Sequence, residues 1–348
     1  MKIAIIRPKV GLGWGGAENY VANCSLELLN QGHKVTLIAD RCGLPGVYFK
    51  RAPLLGRGSM MKNLSFFILV KRILKKEKFD LVYTCCRTAP SDLVRLSDPL
   101  HAAWLDLGYE FGSSTLRKKR PRHKLLLWLE KESLKGARKG IITNSKMVKQ
   151  EVIRYYSLPQ ERIYVLYNGC DFNRFNLKIR AMRDEIRQRL GLSDKKILLF
   201  VGHDWRRKGL DIIKKILPRL PEKCVLLVAG GKKKRFQKRI RYLGRVKNMP
   251  LLYSAADLLV LPTRYDPFAN VVLEALACGL PVVTSKDNGA TELIRIGETG
   301  FAVSNRPEEI EGAILKLLEN PPSPEICHQS VAHLSWKRHV SELLSLAK

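Results

Sequence analysis

Short apolar runs alternate with longer amphipathic stretches along the whole chain, switching between the period of a strand and that of a helix. Lys2–Ile6, Lys34–Ala39, Leu81–Thr84, Gly140–Thr143 and Ile163–Leu166 read as strands. Between them Ala17–Gln31 carries helical spacing and stops at Gly32; Leu64–Lys76, Ser91–Leu96, Arg122–Lys135 and Ser145–Tyr156 read as further helices. After a polar linker and a helix at Arg180–Leu190 the rhythm resumes. Its strands are Ile197–Val201, Cys224–Ala229, Ile240–Leu243, Leu258–Leu261 and Val282–Val283; its helices are Leu210–Ile216, Met249–Ala256, Glu308–Glu319 and Ser335–Leu346. Such alternation predicts doubly wound parallel sheets. Two series meeting near 170–180 predict two α/β domains, and 348 residues allow each its own core.

Composition adds one strong feature. Sixty-two Lys and Arg stand against 32 Asp and Glu, a net charge of +30 that attracts polyanions: nucleic acid, an anionic membrane, or an anionic small partner. The cations cluster at Lys71, Arg72, Lys75, Lys76 and Lys78, at Arg117–Arg122 with Lys124, and at Lys232–Arg235 with Lys238, Arg239 and Arg241. The first group lies among Phe66, Phe67, Ile68, Leu69, Ile73 and Leu74, a basic amphipathic helix compatible with a membrane surface. For any one cluster a solvated face is the plain alternative. No window approaches the roughly 18 apolar residues of a membrane span. The N-terminus opens into a strand without the apolar run and cleavage site of a signal peptide. Eight cysteines lack C-x-x-C spacing, and Cys85 and Cys86 are adjacent, so reduced cytosolic thiols are expected.

Candidate chemistry sits on three loops and one constellation. Residues 257–294 form a strand–loop–helix–strand unit, with Asp266 in the loop and Glu274 eight positions later on the helix. That loop falls at the carboxyl edge of a parallel sheet, where open α/β folds bind ligands. Carboxylates accept bonds from sugar hydroxyls, and amides at a helix start hold phosphate oxygens. The loop 202–209 carries Arg207 and Lys208 before Gly209 at a helix start, which suits a diphosphate; Arg206 can exchange with them in that assignment. The loop 11–18 is glycine-rich. Read as G-x-G-x-x-G it uses Gly11, Gly13 and Gly16, with Asp40 as the acid after the second strand, a weak dinucleotide fingerprint. No His/Asp cluster has metal-ligand spacing, so no metal site and no resident cofactor are expected.

The segment Glu-Ala-Leu-Ala-Cys-Gly-Leu-Pro-Val-Val-Thr-Ser from Glu274, with the Asp266-x7-Glu274 pair, resembles the donor-binding signature of retaining GT-B glycosyltransferases of family 4 (glycosyl transferases group 1). The family pattern has Glu where Asp266 stands. Thr263–Asn270 resembles most closely the lipopolysaccharide core glucosyltransferase I subgroup, and Gly15-Gly16-Ala17-Glu18 resembles the glycine-rich start of family 4 enzymes. The resemblance implies two facing Rossmann-like domains with a cleft between them. The acceptor-side domain covers 1–175, with a helix at 330–348 crossing back to it, and the donor-binding domain covers 176–329. It further implies Arg207 and Lys208 on the donor diphosphate and Glu274 on the ribose. Asp266 and the amides of Phe268, Ala269 and Asn270 fall on the sugar and distal phosphate, the loop Gly244-Arg245-Val246 on the base, and Gly15 and Gly16 near the donor phosphate. Asp98-Pro-Leu-His101 is similar to a His-containing segment that contacts the transferred sugar or acceptor; Asp98 and His101 are the candidates, with Asp106 in reserve. Asn144 and Ser145 resemble a structural or acceptor-side element.

The expectation is therefore metal-independent transfer of a hexose from a nucleotide diphosphate sugar, UDP-glucose or similar. The expected acceptor is a lipopolysaccharide core or another anionic glycolipid on the inner face of the plasma membrane. Two other classes stay open on the residues alone: a dinucleotide-dependent oxidoreductase, and a basic nucleic-acid-binding protein. The latter lacks aromatics interleaved with its basic runs, and no specific nucleic-acid partner is expected.

Overall fold

The structure is a computed structural model that describes residues 1–13, 15–107, 114–233 and 237–347. Trp14 of the glycine-rich loop and Lys234 and Arg235 of the third basic group lie outside the described residues. The chain divides into two compact units, Met1–Gly169 with Trp336–Lys348, and Cys170–Ser335.

In unit 1 the strands are β1 (Lys2–Ile6), β2 (Lys9–Val10), β3 (Lys34–Ala39), β4 (Arg41–Cys42), β5 (Tyr48–Arg51), β6 (Leu81–Thr84), β7 (Ser91–Leu96), β8 (Ala137–Thr143) and β9 (Ile163–Val165). Its helices begin with α1 (Gly16–Asn30), α2 (Gly58–Lys76), α3 (His101–Asp106), α4 (Ser114–Lys119), α5 (Pro121–Lys135) and α6 (Lys146–Tyr156). Seven strands form one parallel sheet in the order β5-β3-β1-β6-β7-β8-β9, and β2 pairs with β4. Strands buried on both faces must be apolar throughout, as Ile3, Ala4, Ile5 and Ile6 of β1 are.

Unit 2 carries α7 (Arg183–Arg189), β10 (Lys196–Val201), α8 (Leu210–Ile216), β11 (Cys224–Ala229), β12 (Ile240–Gly244) and α9 (Met249–Ala255). It continues with β13 (Leu258–Leu261), α10 (Asn270–Ala277), β14 (Val282–Ser285), β15 (Gly300–Val303), α11 (Pro307–Glu319) and α12 (Pro324–Val331). Its parallel sheet runs β12-β11-β10-β13-β14-β15. Asp257, just before β13, accepts from Arg183, Arg187 and the amide of Ile197, so one carboxylate ties α7 to the sheet.

The chain then returns to unit 1 as α13 (Trp336–Leu346), which packs on α1. His339 Nδ1 lies 2.7 Å from the Tyr167 carbonyl and must donate to it, so Nε2 accepts from Tyr20 at 2.8 Å. Burial, with Arg95 nearby, lowers His339 to about 3 and keeps that ring neutral.

One expected element is overturned: Ser91–Leu96 is strand β7 and not a helix. Ser-Asp at its head looks like a helix cap, and Arg95 looks like a solvent position. In the sheet, Asp92 accepts from the amide of Val82, and Arg95 is buried against Tyr20. Strands β5 and β15 and helices α3 and α12 add to the elements read from the pattern.

Candidate active site

Because the second sheet is wholly parallel, the loops after β10, β11, β12, β13 and β14 leave from one edge. Loop 202–209 bends into α8 through Gly209, at φ 78°. A Cβ there would stand 1.9 Å from the carbonyl oxygen of Pro262. Gly209→Ala is therefore expected to cost at least about 2 kcal/mol. Denaturant melting checks this; a variant within about 0.5 kcal/mol of the parent contradicts the packing described here. Across the same gap Arg264 donates its amide to the Arg207 carbonyl at 2.7 Å, pinning the two loops together.

The structure brings Arg207, Lys208 and Asp266 together. Arg207 donates to Asp266 Oδ2 at 3.0 Å, and Lys208 Nζ bonds the same oxygen. The Lys208 stem crosses Gly202, where a Cβ would lie 3.0 Å from its Cγ. Burial opposes the charge on Asp266, but Lys208 and Arg207 outweigh it and hold the carboxyl below its usual range. Arg206 is exposed, so it is not the second cation of this cluster.

The other acid, Glu274, accepts from the hydroxyl of the fully buried Tyr253 at 2.8 Å. Burial raises its carboxyl to about 7 against the opposing pull of Tyr253 and Arg174. A carboxyl balanced near neutrality at the ligand edge of a sheet is a functional-site signature. Tyr253 has no signal in the sequence beyond its aromatic character on a short helix.

The amides expected to face a ligand divide. Phe268 donates its amide to Asp266 Oδ1 at 3.1 Å, and Ala269 donates to Asn288 Oδ1 at 3.2 Å. Both amides are engaged inside the loop, so these residues shape it. Asn270 opens α10. Val246 is half-buried on the loop after β12, where the Gly244 carbonyl accepts from Gly230 at 2.7 Å.

In unit 1, Gly15 precedes α1 and Gly16 opens it. Gly15 is extended, and its surroundings rather than its backbone exclude a side chain: a Cβ would lie 2.4 Å from Glu18 Oε2. Asp98 joins Glu18 on the buried guanidinium of Arg7, at 3.0 Å for each pair. Partial desolvation works against the Asp98 charge although about half of its side chain is exposed, and Arg7 outweighs it and lowers the pKa. His101 takes a separate position. Its Nε2 is 3.1 Å from His123 Nδ1, and its amide donates to Glu130 at 2.7 Å. Burial and nearby Arg87 lower it to about 3, so its ring is neutral. Asp106 pairs with Lys118 at 2.7 Å. Ser145 caps α6 by accepting from the Val148 amide. Asp40 accepts from the Leu54 amide at 3.3 Å. Sequence reasoning missed Arg7, Arg95 and Glu130, whose partners lie far away along the chain.

Comparison with known proteins completes this picture. Residues 14–174 match the Glycosyltransferase Family 4 model, and residues 182–333 match the Glycosyl transferases group 1 model. An uncharacterised glycosyltransferase of Methanocaldococcus jannaschii, MJ1607, is 31% identical over 198 residues, 52% of this chain and 51% of its own length. The chain thus spans about half of that relative. Among solved structures, WaaG, a glycosyltransferase involved in lipopolysaccharide biosynthesis, aligns with a TM-score of 0.86 at 20% identity, covering 99% of both chains. Anabaena HepE in complex with UDP and glucose aligns with a TM-score of 0.74 at 20% identity, again over 99% of both. With a parallel-sheet α/β unit under each of the two family models, the chain belongs to the GT-B glycosyltransferases of family 4, glycosyl transferases group 1.

Proposed function

We propose that this glycosyltransferase moves a hexose from a UDP-sugar to an anionic glycolipid, of which a lipopolysaccharide core is one kind, with retention at the anomeric carbon and without a metal ion. The observation that carries this is the cluster of Arg207, Lys208 and Asp266 on the edge that also bears Glu274. Two cations beside one buried carboxylate leave a net positive charge for the leaving diphosphate. As the bond from the anomeric carbon to the diphosphate oxygen breaks, negative charge builds on that oxygen, and cations already in place stabilise it. The acceptor oxygen bonds the same carbon on the departing face, and its proton passes to the leaving phosphate. Glu274 accepts from the ribose hydroxyls. The HepE complex with UDP and glucose supports a UDP donor by analogy of fold.

A surface of unit 1 supports placing the enzyme on a membrane. Met60, Met61 and Ile68 of α2 and Trp128 of α5 are exposed, and Phe67 and Trp128 meet at 5.6 Å where the two helices touch. Exposed Lys62, Lys71, Arg72 and Lys124 lie on the same two helices. Exposed apolar side chains and cations on the same helices suit the headgroup region of an anionic membrane on the cytoplasmic face. Among the described residues no helix is long and apolar enough to cross a membrane.

A thermal-shift panel at moderate salt tests the donor. UDP or a UDP-sugar is expected to raise the melting temperature selectively, and Glu274→Ala to abolish the rise. Equal shifts by NAD and every polyphosphate would reduce the effect to bulk charge and sink the proposal.

A further inference from the structure

We propose that Tyr253 is a positioning residue for donor binding: it holds one oxygen of Glu274, so that the other meets the ribose hydroxyls. This deepens the function proposed above and rests on its placing of the ribose at Glu274. Tyr253 comes from α9 and Glu274 from α10. The Tyr253 hydroxyl donates to Glu274 Oε2 at 2.8 Å, and among the described residues no other side chain bonds that carboxylate. Glu274 is half-buried, whereas Tyr253 has no exposed surface. The phenol therefore touches no ligand itself, and Oε1 is the carboxylate oxygen left for one.

Tyr253 is itself fixed. Its ring meets that of Phe175 at 6.1 Å, with the planes at 61°. Phe175 closes a turn by donating its amide to the Asp171 carbonyl at 2.8 Å. Arg174 of the same turn donates to the Lys247 carbonyl at 3.0 Å, on the loop that leads into α9. A glutamate side chain loses rotamer freedom when a ligand binds it, and a rigid buried donor removes that freedom beforehand. Burial, with the Glu274 charge beside it, pushes Tyr253 well above its ordinary range, so the phenol keeps its proton and donates. The other groups facing Glu274 are Arg174, Cys170 and Cys278. Burial pushes Cys278 up to about 12 and Cys170 well above its ordinary value, so both thiols stay neutral and Glu274 is the member that titrates near neutrality. The bond from Tyr253 and the charge of Arg174 both favour its ionised form.

Calorimetric titration of the whole protein with UDP-glucose from about pH 6 to pH 9 tests this on Tyr253→Phe, which keeps the ring and removes only the hydroxyl. Losing a bond that favours the carboxylate raises its pKa, so the midpoint of affinity against pH should move up by about half a unit or more. Near pH 7 binding should weaken at least about fivefold, and the gap should narrow as pH rises. In steady state the loss should fall on KM, with kcat within about threefold of the parent, because the ribose is held alike in ground and transition states. A tyrosine that merely fills space would weaken binding equally at every pH. In the Glu274→Gln background, where no buried carboxylate is left alone, Tyr253→Phe should change affinity less than about twofold; this pair carries the test if the single variant does not fold. A midpoint that stays at the parent's, a loss carried by kcat, or an equal loss in the Glu274→Gln background overturns the proposal. A parent that binds no UDP-glucose overturns the donor reading and this inference with it. A parent that binds with its midpoint near 7, matched by Tyr253→Phe, overturns this inference alone.

Discussion

Replacing Lys208 by alanine is expected to lower kcat by about a hundredfold to a thousandfold with a much smaller change in KM. The magnitude is that of removing one preorganised donor to developing negative charge. The split follows because the diphosphate's charge grows as the glycosidic bond breaks, so a cation there favours the transition state over the bound donor. The fold should survive, because Arg207 still bonds Asp266 at 3.0 Å. Asp266→Ala is the contrasting variant. It strips the carboxylate from two partly buried cations, and breaking such a buried pair costs about 3–5 kcal/mol. Steady-state assay of UDP release with parallel melting curves separates the two outcomes. A Lys208→Ala enzyme within threefold of the parent kcat would remove this residue from the chemistry.

The second large effect is in pH. Burial raises the Glu274 carboxyl to about 7; under the proposed donor assignment, the ribose hydroxyls bind its charged form. Affinity for UDP-glucose, whose diphosphate is esterified at both ends and does not titrate here, should fall up to tenfold per unit as pH drops below 7 and level off above it. In Glu274→Gln the slope should vanish, and affinity at pH 8 should fall by roughly tenfold or more for loss of a charged acceptor. Stability moves the opposite way. The folded-state value of about 7 exceeds the ordinary glutamate value of 4.5, so the native state binds more protons between them. Stability is therefore lost as pH rises through that window, and Glu274→Gln should be the more stable protein at pH 8. Calorimetric titration at pH 6, 7 and 8 checks the affinity, and urea melts check the stability. A pH-independent parent affinity would sever Glu274 from donor binding.

Much of unit 2 was legible because its strands β10, β11 and β13 are almost wholly apolar and its loops carry their chemistry locally. Leu210–Ile216, Cys224–Ala229 and Leu258–Leu261 fall where the pattern places them. Asp266 and Glu274 are eight residues apart on a loop and the helix it opens, so proximity along the chain marks them. Partnership over longer distances left no trace. Tyr253 reaches Glu274 across 21 positions, and Arg7 reaches Asp98 across 91. Strand β7 was misread for the same reason: buried Asp92 and Arg95 are polar positions whose partners come from other elements, so local pattern places them in water. The amides of Phe268 and Ala269 looked available because Asn288, which takes one of them, is 19 residues away from Ala269.

The most direct test of retaining transfer from a UDP-sugar uses water as the acceptor. Proton NMR of the enzyme with UDP-α-glucose, recorded before the free sugar equilibrates, reads the anomer released. Retaining transfer requires UDP to appear together with α-glucose. Release of β-glucose, or no release of UDP from this or any other UDP-hexose, would contradict it.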